Sequence, residues 1–223
     1  MTHTESTPAS ERTTVRRGRD RAVYDPAAIK DILAAGTVAH VGVDTPTGPI
    51  VLPMAYGVRG DELLLHGGVA NALLRGADST EVCVTVTIVD GLVVARSPLH
   101  NSMNYRSVVI RGRATRLPDG EKVAALRVIN DHLVPIWDTA RPPSDVDLRQ
   151  TVVVSLPLTE ASAKVRTGDP IDDESDLAGP HWAGVVPLIS RWGQPRPAAN
   201  LAEGIEMPPA VAAMVDGGPA PCD

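Results

Sequence analysis

The connections limit this chain more than any other feature. Between residues 37 and 66 its apolar, β-branched runs are separated by only a few residues each. Thr37–Val43 is followed by the turn Asp44-Thr-Pro-Thr-Gly-Pro49, Ile50–Val58 by Arg59-Gly-Asp61, and Glu62–His66 by Gly67-Gly68. A parallel pair of strands needs a crossover of a dozen or more residues, so gaps this short permit antiparallel neighbours only. Glu81–Val89 then sets Val82, Val84 and Val86 against Cys83, Thr85 and Thr87, the alternation of a strand with one buried face. Asp90-Gly91 predicts a hairpin turn into Leu92–Arg96. A polar loop over Asn101–Ser107 leads to a further strand, Ser107–Leu117. Val152–Leu156 is one more strand and Ala161–Arg166 a short extension of it.

Helices are few. Asp25-Pro26 supplies an N-cap and a favoured first residue, Ile29, Ile32 and Leu33 share a face, and Gly36 stops the helix. Ala70–Gly76 predicts a short helix. Glu121–Leu133 predicts a second amphipathic one with Val123, Leu126 and Ile129 inward, and residues from Pro208 start a third. The set reads as an all-β fold with added helices (α+β), a barrel rather than a parallel sheet. Residues 1–20 read as a disordered arm whose Arg16, Arg17, Arg19 and Arg21 are solvated. Residues 21–166 form the domain, and 167–223 an extension that wraps or caps it.

With 43% hydrophobic and 22% charged residues, the chain is of ordinary globular composition. Phe is absent, so the core must come from Val, Leu, Ile and Ala, and Tyr56, Tyr105, Trp137, Trp182 and Trp192 gain weight. A net charge of −6 argues against nonspecific nucleic-acid binding. Cys83 and Cys222 have neither metal spacing nor disulfide logic, which suggests a reducing, cytoplasmic setting. No run approaches the roughly 20 apolar residues of a membrane span.

His40, His66, His100, His132 and His181 are scattered, with no zinc spacing. No nucleophile elbow, P-loop or Rossmann fingerprint is present, so any catalysis belongs to a cofactor. Two groups stand out. His66-Gly67-Gly68 ends a strand before a predicted helix, where backbone N–H groups suit an anion, with Arg75 one helix along. Asn104-Tyr105-Arg106 offers an amide, an aromatic plane and a guanidinium fork, which suits either a flat heteroaromatic ligand with an anionic tail or a subunit interface.

His66-Gly67, Val82-Cys-Val-Thr-Val-Thr87, Asp90-Gly91, Ala95-Arg96-Ser97 and above all Ser102-Met-Asn-Tyr-Arg-Ser-Val108 resemble the flavin-nucleotide-binding branch of the pyridoxamine 5′-phosphate oxidase-like superfamily, over roughly residues 23–165. The resemblance implies a six-stranded antiparallel split β-barrel that forms a homodimer. It implies FMN in clefts shared by the two subunits and electron transfer to a small molecule. Position by position, it puts Pro53, Met54, Ala55 and Tyr56 beside the ring, and His66, Gly67, Asn71 and Arg75 at the ribityl chain and phosphate. Val84 and Thr85 would support the ring, with Met103, Asn104, Tyr105, Arg106 and Ser107 completing the cleft. His66 is the candidate proton donor, and Lys164, Arg166 and Trp182 are candidates to cap the cleft. Met54 stands where relatives often carry Thr, and Asn71-Ala72 where they often carry Ser-Arg, which implies weaker hold on FMN. The alternative on the same barrel is a non-catalytic flavin- or haem-binding protein, with His66, His100 or His181 as axial ligand. No metal ion, nucleic acid or membrane partner is expected.

Overall fold

The structure is a computed structural model, and it describes residues 7–69, 74 and 81–216. Among the described residues, eleven strands and four helices follow in order: β1 (Ala22–Val23), α1 (Pro26–Ala35), β2 (Ala39–Thr45), β3 (Gly48–Met54), β4 (Tyr56–Arg59), β5 (Glu62–Gly68), β6 (Glu81–Val94), β7 (Ser102–Arg113), β8 (Thr115–Arg116), α2 (Lys122–Leu133), α3 (Asp145–Arg149), β9 (Thr151–Pro157), β10 (Ala161–Arg166), β11 (Gly184–Pro187) and α4 (Pro209–Asp216). The helix expected over 70–76 lies outside the described residues except for Leu74, which is buried.

Two antiparallel sheets make a split barrel. The larger runs β1-β10-β7-β6-β2-β3, with β11 also on β6, and the smaller runs β4-β5-β9-β8. The chain passes between the sheets at Ala55, between β3 and β4, and again at Ala114, between β7 and β8. Val41, Val84, Val86, Val108 and Ile110 from the larger sheet meet Leu63, Leu65, Val154 and Leu156 from the smaller one. The run Leu63-Leu64-Leu65 is buried throughout because its strand has cover on both faces. Leu63 and Leu65 face the inter-sheet core, and Leu64 joins Ala125, Ile129 and Val153 in a second cluster under α2.

α1 forms as expected. The Asp25 carboxylate accepts from the Ala28 N–H at 2.9 Å, Pro26 opens the helix, and Ile29, Ile32 and Leu33 are buried. α2 keeps most of the expected face: Ile129 is buried and Leu126 packs against it, with Ala125 buried beside them, while Val123 is exposed. α2 comes close to the smaller sheet at Gly57, where an added Cβ would lie 2.9 Å from the Val128 carbonyl oxygen. Backbone rather than large side chains sets that contact, so hydropathy alone misplaces Val123.

Asp90-Gly91 does not turn the chain. β6 runs straight through it for 14 residues, with a bulge between Val89 and Gly91. Gly91 is required by crowding, since a Cβ there would meet the Val186 carbonyl oxygen at 2.9 Å. β6 thus pairs with β2 over Val82–Val86 and with β11 over Gly91–Val94. The polar stretch Asn101–Ser107 is strand from Ser102 onward, and the true connection is the 95–101 segment with its short turn of helix at Pro98–His100.

Residues 7–20, read as part of a disordered arm, lie against the barrel. Thr13 is buried, Ser10 donates to Glu160 at 2.9 Å, and Arg12 pairs with Glu81 at 2.8 Å. The Val15 N–H donates to the Tyr24 hydroxyl at 2.8 Å. No helix among the described residues is long and apolar enough to cross a membrane.

Candidate functional site

Register decides which of the singled-out residues meet. In an antiparallel pair, residues directly opposite each other point to the same face. Three rows therefore form on the face of the larger sheet turned away from the core: Pro53-His40-Thr85-Val109, then Thr87-Ser107-Lys164, then Val89-Tyr105-Arg166. These rows gather Pro53, Thr85, Tyr105, Ser107, Lys164 and Arg166 on one surface. Met103 is exposed and lies opposite exposed Leu92, which lies opposite exposed Val186.

The guanidinium beside Asn104 and Tyr105 is not the expected one. Tyr105 and Arg106 are strand neighbours and point to opposite faces. Arg106 is taken up by Asp90, donating through Nε at 3.0 Å and Nη2 at 2.6 Å. Arg166 stands opposite Tyr105 and donates to the Asn104 side-chain oxygen, to Gly168 O at 3.3 Å and to Asp169 O at 3.1 Å. Asn104 completes the group by donating to Gly168 O at 3.1 Å. The aromatic plane, amide and fork are all present, but the fork comes 60 positions later in the chain than the one expected; that separation hides it from local sequence reading.

Three expected residues are spent on the fold. Tyr56 is fully buried, and its hydroxyl donates to Leu33 O at 2.6 Å and lies 2.9 Å from Gly36 O. Burial raises that hydroxyl above its usual range, which keeps it protonated as a donor. Its ring packs 4.6 Å from that of His132, whose Nε2 lies 2.7 Å from Gly36 O. Val84 is fully buried on an interior strand, between Val41 and Ile110. Met54 sits half-buried against the core, on the inward side of β3 with Ile50 and Leu52. Neither Tyr56, Val84 nor Met54 has a side chain to offer a ligand on the outer face. Ala55, at the passage between sheets, is half-buried. Asn71, Ala72 and Arg75 lie outside the described residues.

His66 is on the smaller sheet, at the end of β5 opposite Val153, with Gly67 opposite Val152. Its Nδ1 is buried and has no hydrogen-bond partner among the described residues. Burial lowers its pKa from the ordinary value, so the ring is neutral at pH 7. A neutral imidazole with an unsatisfied nitrogen fits a ligand that accepts or supplies a bond there. Trp182 is 65% exposed and lies over Gly184, leaving its ring open to a partner. His181 is exposed.

One grouping had no local signal. The loop after β6 and the extension close on each other: the Arg96 N–H and Nη1 donate to the Asp172 carboxylate, both at 2.7 Å. Burial pushes the Asp172 carboxyl up, the two Arg96 donors more than offset it, and the group stays below its usual range. Beside this clasp, ligand atoms of His100, Asp173 and Asp176 come within 4.8 Å of one another. The cavity with the largest volume of those described, about 610 Å³, lies elsewhere, between α1 and the 158–161 turn, lined by Tyr24, Ile29, Lys30 and Leu158 among others.

The model of the pyridoxamine 5′-phosphate oxidase family matches residues 25–165. The chain belongs to the pyridoxamine 5′-phosphate oxidase family. Two solved structures of related sequence match beyond that span. The flavocytochrome Anf3 from Azotobacter vinelandii is 37% identical, with a TM-score of 0.90, over 94% of this chain and 99% of that one. The FAD and heme binding protein from Mycobacterium smegmatis is 31% identical, with a TM-score of 0.84, over 87% of this chain and 97% of that one. No curated protein matches. For this member of the family, the likeness to Anf3 thus reaches well past the barrel, into most of the extension.

Proposed function

We propose that this protein is a homodimeric redox protein that holds both a flavin and haem and passes electrons to a small molecule. The observation that carries the haem part is the Nδ1 of His66, buried and without a partner among the described residues, on a ring whose neutral form burial favours. Metal ligation requires the neutral ring, and a buried nitrogen without a partner costs stability until something bonds it. The near full-length likeness to a flavocytochrome and to an FAD and heme binding protein supports the same reading. The latter favours FAD over the FMN implied by the sequence.

The chain's own residues have separable tasks. His66 would hold the haem iron rather than act as a proton donor, because its lowered pKa disfavours the imidazolium that an acid at neutral pH requires. Tyr105 and Asn104, fixed by Arg166, would bound a flat ring on the outer face. Ser107 and Thr85 add hydroxyls on that face. A bound flavin would supply one- and two-electron transfer, and a bound haem one-electron transfer. The exposed row Met103-Leu92-Val186 favours a second copy as cover, since contiguous apolar surface marks contact sites. His66 and Tyr105 sit on different sheets, so a cleft shared by two copies accommodates both groups.

The absorbance spectrum of the purified full chain tests this. We expect flavin bands and a Soret band together, with FAD in the denatured extract. His66→Ala should lose the Soret band and keep the flavin bands. A colourless protein that takes up neither cofactor from excess would end the proposal.

A further inference from the structure

Three cations meet where the arm reaches the barrel. Gly18 has a left-handed backbone, φ 64°, and a Cβ there would lie 3.4 Å from Lys164 Nζ and 3.6 Å from Arg21 Cδ. Arg166 is two residues beyond Lys164 on the same side of β10, opposite Tyr105, and is 6% exposed. Among the described residues, its hydrogen bonds go only to neutral oxygens: the Asn104 amide and the carbonyls of Gly168 and Asp169. Lys164 has no ion pair among the described residues. Among the described residues Arg21 pairs only with Asp20, at 3.8 Å and largely exposed.

Such an arrangement is costly for the protein alone. A buried guanidinium without a carboxylate leaves its charge uncompensated, and a second and third cation nearby add repulsion. The strain registers at Arg166, whose pKa is lowered by burial first and by Arg21 second. Surface chance does not explain it either, because the arm adopts a left-handed turn at Gly18 to bring Arg21 in. The basic cluster at 16–21 is therefore divided: Arg16 is paired with Glu11 at 2.6 Å, while Arg21 faces the barrel.

We propose that Arg166, Lys164 and Arg21 form an anion site that takes a phosphate or pyrophosphate group beside Tyr105. Arg166 is held in place by its carbonyl contacts, and the two half-exposed cations close on the ligand from the arm side. A phosphoryl group of this kind has two sources, a bound flavin nucleotide or a separate phosphorylated molecule. The site does not depend on the flavin and haem reading above.

Titration calorimetry of the full chain with inorganic pyrophosphate tests it directly. Wild type should bind, and binding should weaken as salt is raised. Arg21→Gln with Lys164→Gln should weaken it about a hundredfold or more, since each lost charged contact is worth roughly ten- to a hundredfold. Arg21→Gln alone, on the arm and outside the core, should cost about tenfold and keeps the test decisive if the pair disturbs β10. FAD and riboflavin then separate the sources. A matching loss for FAD, with riboflavin unchanged, assigns the site to the flavin's own phosphates. An unchanged FAD affinity assigns it to a separate phosphorylated ligand. Wild type that fails to bind pyrophosphate, or an Arg21→Gln protein that binds it as wild type does, overturns the proposal whatever the spectrum shows.

Discussion

The barrel and the terminal segments laid on it are held by different forces. The barrel core is Val, Leu, Ile and Ala with almost no exposed area, and nearly every side chain in it is apolar. The arm and the extension are exposed for most of their length, with Ile171, Leu177 and Trp192 among the uncovered apolar residues. Their attachments are polar: Arg12 to Glu81, Arg96 to Asp172, Arg166 to the carbonyls after it, and the four-residue ladder of β11. Burial is indifferent to salt and pH, whereas ion pairs respond to both. The two regions should therefore separate under conditions that leave the barrel folded.

The largest effect belongs to the barrel. Leu64→Ala removes a fully buried side chain that fills the second cluster beneath α2, and should cost about 2–5 kcal/mol in a denaturant titration. A loss under ~1 kcal/mol would mean that α2 adds little to the barrel.

The clasp comes next. The folded Asp172 carboxyl lies below its ordinary value, so its share of the clasp is complete above the unfolded value of about 4. It fades as the pH falls through the lowered folded value. Asp172→Asn at neutral pH, or wild type below about pH 4, should let protease cut residues 167–183 several-fold faster while the barrel's unfolding midpoint moves little. Cutting at the wild-type rate in Asp172→Asn would show that β11 alone holds the extension.

The smallest effect is at the arm. Arg12 and Glu81 are both half-exposed in their side chains, and pairs of that kind contribute little. Arg12→Gln should leave the unfolding midpoint unchanged and remove the salt dependence of cleavage near residue 10. A clear drop in the midpoint would make the arm part of the core.

Local sequence carried the fold further than it carried the site. The cap at Asp25, the alternation in β6 and the strand through Leu63-Leu64-Leu65 obey rules that act over a few residues, and each formed as read. The bulge at Asp90 did not, because Asp-Gly fits a tight turn or a crowded strand equally well. The deciding contact comes from β11, almost 100 residues away. Tyr56 was legible as an informative aromatic but not as a pin for the carbonyls of Leu33 and Gly36. Arg166 stood only as a cap candidate, and its place beside Asn104 depends on the register of β7 against β10. Pairings between distant strands set the site, and no short window of sequence contains them.

One feature of β6 reaches beyond the site. Its second half has β7 on one side and only the short β11 on the other, so the chain's own tail closes that edge. An open strand edge is a template for other chains. The extension is thus also a seal: a molecule nicked between the barrel and β11 would keep its core yet carry an unfinished sheet, and its first new neighbour would be another nicked copy.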